Sequence, residues 1–378
     1  MKTIALASNS SWYLLNFRRS SISKLLAMGY RVVCFAPPDS YTEDLEALGC
    51  QCIDIPINNS GKNPIEDLSL LVSLYRSYKL HKPIAVFHFT IKLNIYGTFA
   101  AWLSRVPAVN NISGLGTAFL QEGLLNDLVK LLYKLSQRLA FKIFCQNQDD
   151  FNFLLEKKLV PRKKLFLLPG SGVDLERFHP SLRQSYQANQ QFTFLYVGRM
   201  LADKGLYELV SAISSINLNT LVCNLVLCGF EGNANQSDIS SDQLEEWSKL
   251  PGITWIGPSD KVEQVMSKAD AIVLPSYREG MPKTILEAFA MAIPVVATNV
   301  AGCSNIVDDG LNGMLCEPRD IKSLKNKLLQ MMHTSSHDRI NMGLSGRKKV
   351  ENNYDEKIVL NILEDTVTEI IASNFYAN

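Results

Sequence analysis

Apolar runs of strand length alternate with amphipathic helical stretches from one end of the chain to the other. In the first half the runs fall at 2–8 (KTIALAS), 30–37, 50–57, 84–90 (IAVFHFT), 107–113, 142–146 and 164–169. In the second half they fall at 192–198 (FTFLYVG), 223–229, 253–257, 271–276 (AIVLPS), 294–298 and 313–318. Helical periodicity occupies 16–29, 64–80, 124–143, 204–214, 242–250, 261–269, 283–292 and 355–373. Strands and helices in regular alternation predict α/β architecture with parallel sheets. The stretch 181–191 is polar and aperiodic, which marks it as a linker between two halves. A length of 378 residues suits two domains, each with its own core.

The second half carries the densest chemistry. Residues 278–287 read REGMPKTILE, so Glu279 and Glu287 stand eight positions apart. Pro282 has the fixed φ of a helix's first turn and needs no amide donor there. Glu279 is thereby predicted in the loop after strand 271–276, and Glu287 inside the following helix. Loops at the carboxyl ends of strands line the ligand crevice of open α/β sheets. Two carboxylates there suit a polyhydroxy ligand, since each accepts hydroxyl hydrogen bonds in charge-assisted form. On spacing alone, two solvated helix glutamates fit as well. Strand 192–197 leads into GRMLADKG, where Gly198 permits close backbone approach and Arg199 and Lys204 bring two cations to the strand's end. Cations beside a helix start suit a diphosphate, although surface charge is the plainer reading of this pair. Neither GxGxxG nor GxxxxGK[ST] occurs here, so dinucleotide and P-loop binding lack support.

Together these segments, GR…KG at 198–205, PSYREGMPKTILEAFAMAIPVVAT at 275–298 and AGCSNIVDDGLNGML at 301–315, resemble the donor half of retaining glycosyltransferases of family 4. The resemblance implies the GT-B fold: two Rossmann-like parallel-sheet domains facing across a cleft. It places an acceptor-binding domain at 1–180, a donor-binding domain at 192–354, and a last helix, 355–373, packing back on the first domain. It implies that Arg199 and Lys204 hold a nucleotide diphosphate, Glu279 the donor sugar's hydroxyls and Glu287 the ribose. Gly198 and the backbone of Gly280, Met281, Pro282 and Lys283 would lie near sugar and phosphate, with Arg199, Lys204 and Glu279 as the catalytic set. No cofactor or metal is expected, because no DxD motif follows a strand.

The first half also carries candidates. Ser10 and Ser11 follow the first strand where many family members have a Gly-Gly loop. Arg18 and Arg19 are read as beginning a helix, where their fork geometry suits phosphate; a solvated face is the alternative. Lys92 and Asn94 lie after strand 84–90, and Gly114 and Gly116 in NNISGLGTAF allow positive φ. These loops resemble a subgroup acting on polyprenyl-diphosphate-linked sugars, similar to undecaprenyl-diphosphate-bacillosamine N-acetylgalactosaminyltransferase. The implied reaction takes GalNAc, GlcNAc or a hexose from a UDP-sugar to such an acceptor. Arg18, Arg19, Lys92, Ser113 and Gly114 are the acceptor candidates. A soluble acceptor, or a nucleotide-sugar-binding subunit without turnover, is the rival.

Composition narrows the setting. Net charge is +1, which gives no basic field for nucleic acid. The eight cysteines are scattered, with no CxxC pair, and read as reduced core residues of a cytosolic protein. No apolar run reaches the roughly 18 residues needed to span a bilayer. The expected location is therefore cytoplasmic, with peripheral contact to inner-membrane lipid. The stretch 124–143 carries Lys130, Lys134, Arg138 and Lys142 at four-residue spacing, a face that suits anionic lipid or plain solvation.

Overall fold

The computed structural model describes residues 1–58, 63–115, 123–183, 191–218, 222–231 and 237–373; Gly116 and most of the expected linker lie outside them. The chain divides into two units, Met1–Ser171 with Lys357–Asn378, and Gly172–Glu356.

The first unit holds seven parallel strands: β1 Thr3–Ala7, β2 Arg31–Phe35, β3 Gln51–Ile53, β4 Ala85–Phe89, β5 Ala108–Ile112, β6 Lys142–Cys145 and β7 Leu165–Leu167. Their order is β3-β2-β1-β4-β5-β6-β7. Strand β1 pairs on both sides, Ile4 with Val32 and with Ala85. Successive side chains of a strand point to opposite faces, and both faces here are covered. Ile4 and Leu6 pack with Leu14, Ile22 and Leu25 of helix Ser11–Ala27 and with Val359, Leu363 and Val367 of helix Glu356–Ala372. Ala5, Ala7, Val33 and Phe35 pack with Leu70, Leu74 and Tyr78 of helix Pro64–His81.

The second unit holds β8 Phe192–Val197, β9 Cys223–Cys228, β10 Ile253–Trp255, β11 Ala271–Leu274, β12 Val295–Thr298 and β13 Gly313–Cys316. Their order is β10-β9-β8-β11-β12-β13, again parallel throughout. In each sheet the strand order reverses beside the first strand, between β1 and β4 and between β8 and β11. Ligands of open α/β sheets bind at such switch points, outside the carboxyl ends of the strands. The two Rossmann-like sheets are thus those expected, and every predicted strand run contains one strand.

Four expectations shift. The second unit begins at Gly172, not after 180: the Val173 amide donates to Tyr354 O, Glu356 N donates to Val173 O, and Phe178 is buried in the second core. Helix Ser11–Ala27 starts before Asn16, because Ser10 caps it by accepting from Tyr13 N at 3.1 Å. Arg18 and Arg19 therefore sit in mid-helix, not at its start. Lys92 is helical, not in a loop, and leads into a π-helical turn at Leu93–Gly97. Pro282 is the N-cap of helix Lys283–Ala290, one position before the expected first turn, with φ −72°.

Candidate functional site

In the second unit the loops after β8 and β11 meet at the switch point. They touch at Gly205, whose φ is +70° and whose added Cβ would lie 2.1 Å from Pro275 O. Only glycine fits there without displacing the backbone. Tyr277 N donates to Asp203 O at 2.9 Å and ties the loops again. This contact brings the two predicted segments together: Lys204 Nζ lies 2.5 Å from Glu279 Oε1, with side chains 20% and 13% exposed. Ser276 Oγ donates to the same oxygen at 2.7 Å. Ser276 is itself fully buried, and Thr298 Oγ1 donates to its carbonyl oxygen. Glu279 Oε1 is therefore held by a cation and a hydroxyl, and Oε2 is the carboxylate's remaining acceptor.

Around this pair, Arg199 is exposed and has no ion pair among the described residues. Its carbonyl accepts from the buried Tyr196 hydroxyl at 2.8 Å, which fixes the turn after Gly198. Gly280 and Met281 are half-buried ahead of the helix. Gly302, at φ +85°, supports them from below: a Cβ there would lie 2.6 Å from Gly280 O. Thr284 Oγ1 donates to Val197 O at 3.1 Å and pins the helix start to β8. Tyr277 OH donates to Glu208 Oε1 at 2.6 Å, and Arg319 stacks on its ring at 4.5 Å. Desolvation, with Glu208 beside it, pushes the Tyr277 phenol up to about 12.

Glu287 lies on the helix, 8% exposed, with Lys283 Nζ 3.6 Å away. Burial raises its carboxyl above the ordinary range; Lys283 and Arg177 act against that shift. Because the folded value exceeds the unfolded one, the protonated form favours the fold. That contribution is complete below the unfolded value and is lost as pH rises through the folded value. Glu287→Gln is accordingly expected to raise Tm at pH 7 relative to the parent, with the gap closing on acidification toward pH 4. Thermal melts across that range check it; a gap that widens on acidification contradicts this electrostatic account.

In the first unit a cavity of about 340 Å³ opens at the carboxyl ends of β1, β4 and β5. Its polar lining is Asn9, Thr90, Lys92, Asn94, Asn111, Ser113 and Gly114; Ile57, Ile91, Ile112, Leu115 and Tyr133 complete it. The structure thus gathers Lys92, Ser113 and Gly114, but Arg18 and Arg19 do not line the cavity. Lys92 Nζ is paired with Asp67 Oδ1 at 2.8 Å, and Tyr96 OH donates to Asp67 Oδ2 at 2.9 Å. Thr90 has φ +81°, an outlier for a β-branched residue, and its buried Oγ1 has no hydrogen-bond partner. Asn94, 2% exposed, donates to Asn111 O at 2.9 Å while its Oδ1 is likewise buried without a partner. Orphaned buried acceptors in a cavity wall are groups that a ligand can satisfy.

His88 is structural. Its Nε2 meets Tyr78 OH at 3.0 Å and its Nδ1 meets Asn110 Oδ1 at 2.9 Å, and burial lowers it to about 4. Arg18 is 3% exposed, stacks on Phe89 at 4.4 Å and donates to Tyr13 OH at 3.2 Å. Arg19 is exposed. Sequence reasoning missed Ser276, Thr298, Thr90 and Asn111; only Ser276 carried a signal, being in the same loop three positions before Glu279. Among the described residues no cluster of three or more His, Cys, Asp or Glu could hold a metal ion, and no helix is long and apolar enough to cross a membrane.

These two sheets, with the site at the second switch point, are the architecture of a GT-B glycosyltransferase. Residues 3–147 match the family model described as Glycosyl transferase 4-like, and residues 179–349 match Glycosyl transferases group 1. Both units thus carry glycosyltransferase family domains, and the chain is a sugar-transferring enzyme. It is 27% identical over 307 residues to the Escherichia coli UDP-Gal:alpha-D-GlcNAc-diphosphoundecaprenol alpha-1,3-galactosyltransferase, covering 76% of this chain and 78% of that one. It is 24% identical over 373 residues to the Campylobacter jejuni N,N'-diacetylbacillosaminyl-diphospho-undecaprenol alpha-1,3-N-acetylgalactosaminyltransferase, covering 94% and 96%. The Anabaena protein HepE, solved in complex with UDP and glucose, shares the fold with a TM-score of 0.80 at 16% identity, over 97% of this chain and all of that one.

Proposed function

We propose that the enzyme moves a hexose or N-acetylhexosamine from a UDP-sugar to a polyprenyl-diphosphate-linked sugar, with retention of anomeric configuration. The observation that carries the donor half is the triad Lys204–Glu279–Ser276 at the ends of β8 and β11. Lys204 and Arg199 face the negative charge that develops on the departing diphosphate. Fixed cations there supply the electrostatic stabilisation a divalent ion gives in other sites. Glu279 accepts donor-sugar hydroxyls through Oε2, and Glu287 accepts the ribose hydroxyls. The anomeric carbon–oxygen bond to the diphosphate breaks, the acceptor hydroxyl attacks from the same face, and its proton passes to the departing phosphate oxygen. Glu279 is a positioning group in this scheme, since one of its oxygens is already held by Lys204 and Ser276.

The acceptor half of the reading draws on the names of the E. coli and C. jejuni relatives, both of which describe diphosphoundecaprenol-linked acceptors. The first unit's cavity fits an uncharged part of such an acceptor better than its diphosphate. Lys92 is paired with Asp67, and the remaining polar lining is amide and hydroxyl. We assign the cavity to the acceptor's sugar, with Thr90 Oγ1 and Asn94 Oδ1 as hydrogen-bond acceptors for its hydroxyl or acetamido groups. The buried Arg18 has no carboxylate partner among the described residues, and an unpaired buried guanidinium is the kind of group an anion would relieve. Action at the cytoplasmic face of the inner membrane follows from a lipid-linked acceptor.

Calorimetry tests the donor assignment. UDP is expected to bind the purified protein, and Glu287→Gln to weaken that binding roughly tenfold or more, as for loss of a hydrogen bond to a charged group. UDP that fails to bind removes the donor assignment. Transfer should also survive EDTA, and complete loss reversed by Mg²⁺ would show that Arg199 and Lys204 do not suffice for the leaving group.

A further inference from the structure

A buried layer of polar side chains stands behind the wall of the first unit's cavity. Asn94, which lines the cavity, lies in the π-helical turn Leu93–Gly97. Such turns are rare and frequently occur at functional sites. Three side-chain donors converge on the Asn94 carbonyl oxygen: Thr98 Oγ1 at 2.9 Å, Gln137 Nε2 at 2.9 Å and Asn110 Nδ2 at 3.4 Å. Gln137 reaches in from helix Leu124–Leu139 and Asn110 from β5, so two further elements grip the turn. Thr98, Asn110 and Gln137 are fully buried, and none of them lines the cavity.

The bonds in this layer run in one consistent direction. Asn110 Nδ2 donates to Gln137 Oε1 at 2.8 Å, which turns Asn110 Oδ1 toward His88 Nδ1 at 2.9 Å. An amide oxygen only accepts, so Nδ1 carries the imidazole proton and Nε2 accepts from Tyr78 OH at 3.0 Å. Burial lowers His88 to about 4, so the ring is neutral at pH 7 and keeps this order. Gly97 packs directly on the ring: a Cβ there would lie 2.6 Å from His88 Nε2. On the cavity side, Asn94 Nδ2 donates to Asn111 O at 2.9 Å. With its nitrogen committed to the end of β5, the Asn94 amide is left with Oδ1, which is buried without a partner among the described residues.

We propose that Thr98, Asn110 and Gln137 are positioning residues for the acceptor: they hold the π-helical turn so that Asn94 Oδ1 meets the acceptor sugar, and they set its affinity without touching it. A displacement of about 1 Å can cost a bound geometry on the order of a hundredfold, so the groups that hold a binding residue matter as the residue does. An apolar core of the same shape would serve stability nearly as well. Convergence of three donors on the one carbonyl beneath the cavity wall is what stability alone does not explain. Because Oδ1 only accepts, the group it reads on the sugar is a hydrogen-bond donor, a hydroxyl or an acetamido N–H. The inference rests on the acceptor-sugar assignment above and adds the groups that act through Asn94.

The test is transfer kinetics with a panel of polyprenyl-diphosphate-linked sugars, with UDP binding followed by calorimetry. Thr98→Val keeps the side chain's shape but removes the hydroxyl, Thr98→Ser keeps the hydroxyl, and Gln137→Met removes a second donor. Thr98→Val and Gln137→Met are each expected to raise the acceptor KM about tenfold, as for a lost or misplaced hydrogen bond. Their kcat at saturating acceptor and their UDP affinity are expected to stay at the parent's values, and Thr98→Ser to match the parent throughout. Asn94→Ala is expected to raise KM as well, and Thr98→Val added to it to raise KM no further, because residues that act through one group are not additive. If Thr98→Val does not fold, Gln137→Met and its combination with Asn94→Ala decide. Parent-like KM in the Val and Met variants, or a full additive effect on top of Asn94→Ala, overturns the proposal. So does a fall of kcat and UDP affinity together with the rise in KM, because the buried layer then only supports the fold. A parent that transfers to no member of the panel is a separate failure: it removes the acceptor assignment itself, and this inference with it.

Discussion

Replacing Lys204 by alanine is expected to lower kcat/KM at least about a hundredfold, on the order of 2.7 kcal/mol of transition-state stabilisation. Lys204 is only 20% exposed and lies against Glu279 at 2.5 Å, so its charge acts where little water competes. Its position is fixed by the backbone: Gly205 presses against Pro275 O, and Tyr277 N against Asp203 O. Removing the ammonium also leaves Glu279 with Ser276 alone, which adds to the loss. The exposed Arg199 is expected to follow in the same direction. Steady-state kinetics and a thermal melt decide the matter together. An alanine variant that folds and turns over at near-parent rate removes Lys204 from the diphosphate site.

Glu279→Gln is expected to separate sugar transfer from nucleotide binding. The substitution keeps the side chain's shape but removes the charge that makes its hydrogen bonds strong. Loss of a charged acceptor is worth roughly 1.5 to 3 kcal/mol, so transfer should fall roughly ten- to a hundredfold or more. Affinity for UDP alone should change little, because UDP carries no donor sugar for Glu279 to hold. Glu287→Gln should show the reverse pattern. If both substitutions weaken UDP equally, the division of the two carboxylates between sugar and ribose is wrong.

Much of this is legible in the sequence itself. Strand runs survive in the sequence because strands central to a parallel sheet need continuous apolar positions. The order of those strands does not, since order depends on which runs pair and no local residue records it. Pro282 foretold a loop at Glu279 followed by a helix bearing Glu287, and the structure has that arrangement. The contact between Glu279 and Lys204 spans 75 positions and rests on Gly205 fitting under Pro275, a fact of packing. The same holds for Lys92, whose pairing with Asp67 reaches back 25 positions. Arg18 sits in mid-helix for a local reason: the Ser10 cap starts the helix early, and the guanidinium stacks on Phe89. The strain at Thr90 left no sequence trace, because a threonine after a strand is unremarkable until its φ is known.

The most direct measurement of the central assignment is UDP release by the purified protein from a panel of UDP-sugars. Each donor is offered alone, with a soluble sugar phosphate, and with a polyprenyl-diphosphate-linked sugar. The account predicts release that depends on the lipid-diphosphate acceptor, persists in EDTA and collapses in Lys204→Ala. Release that the sugar phosphate supports equally well, or none above background with any donor, would contradict it.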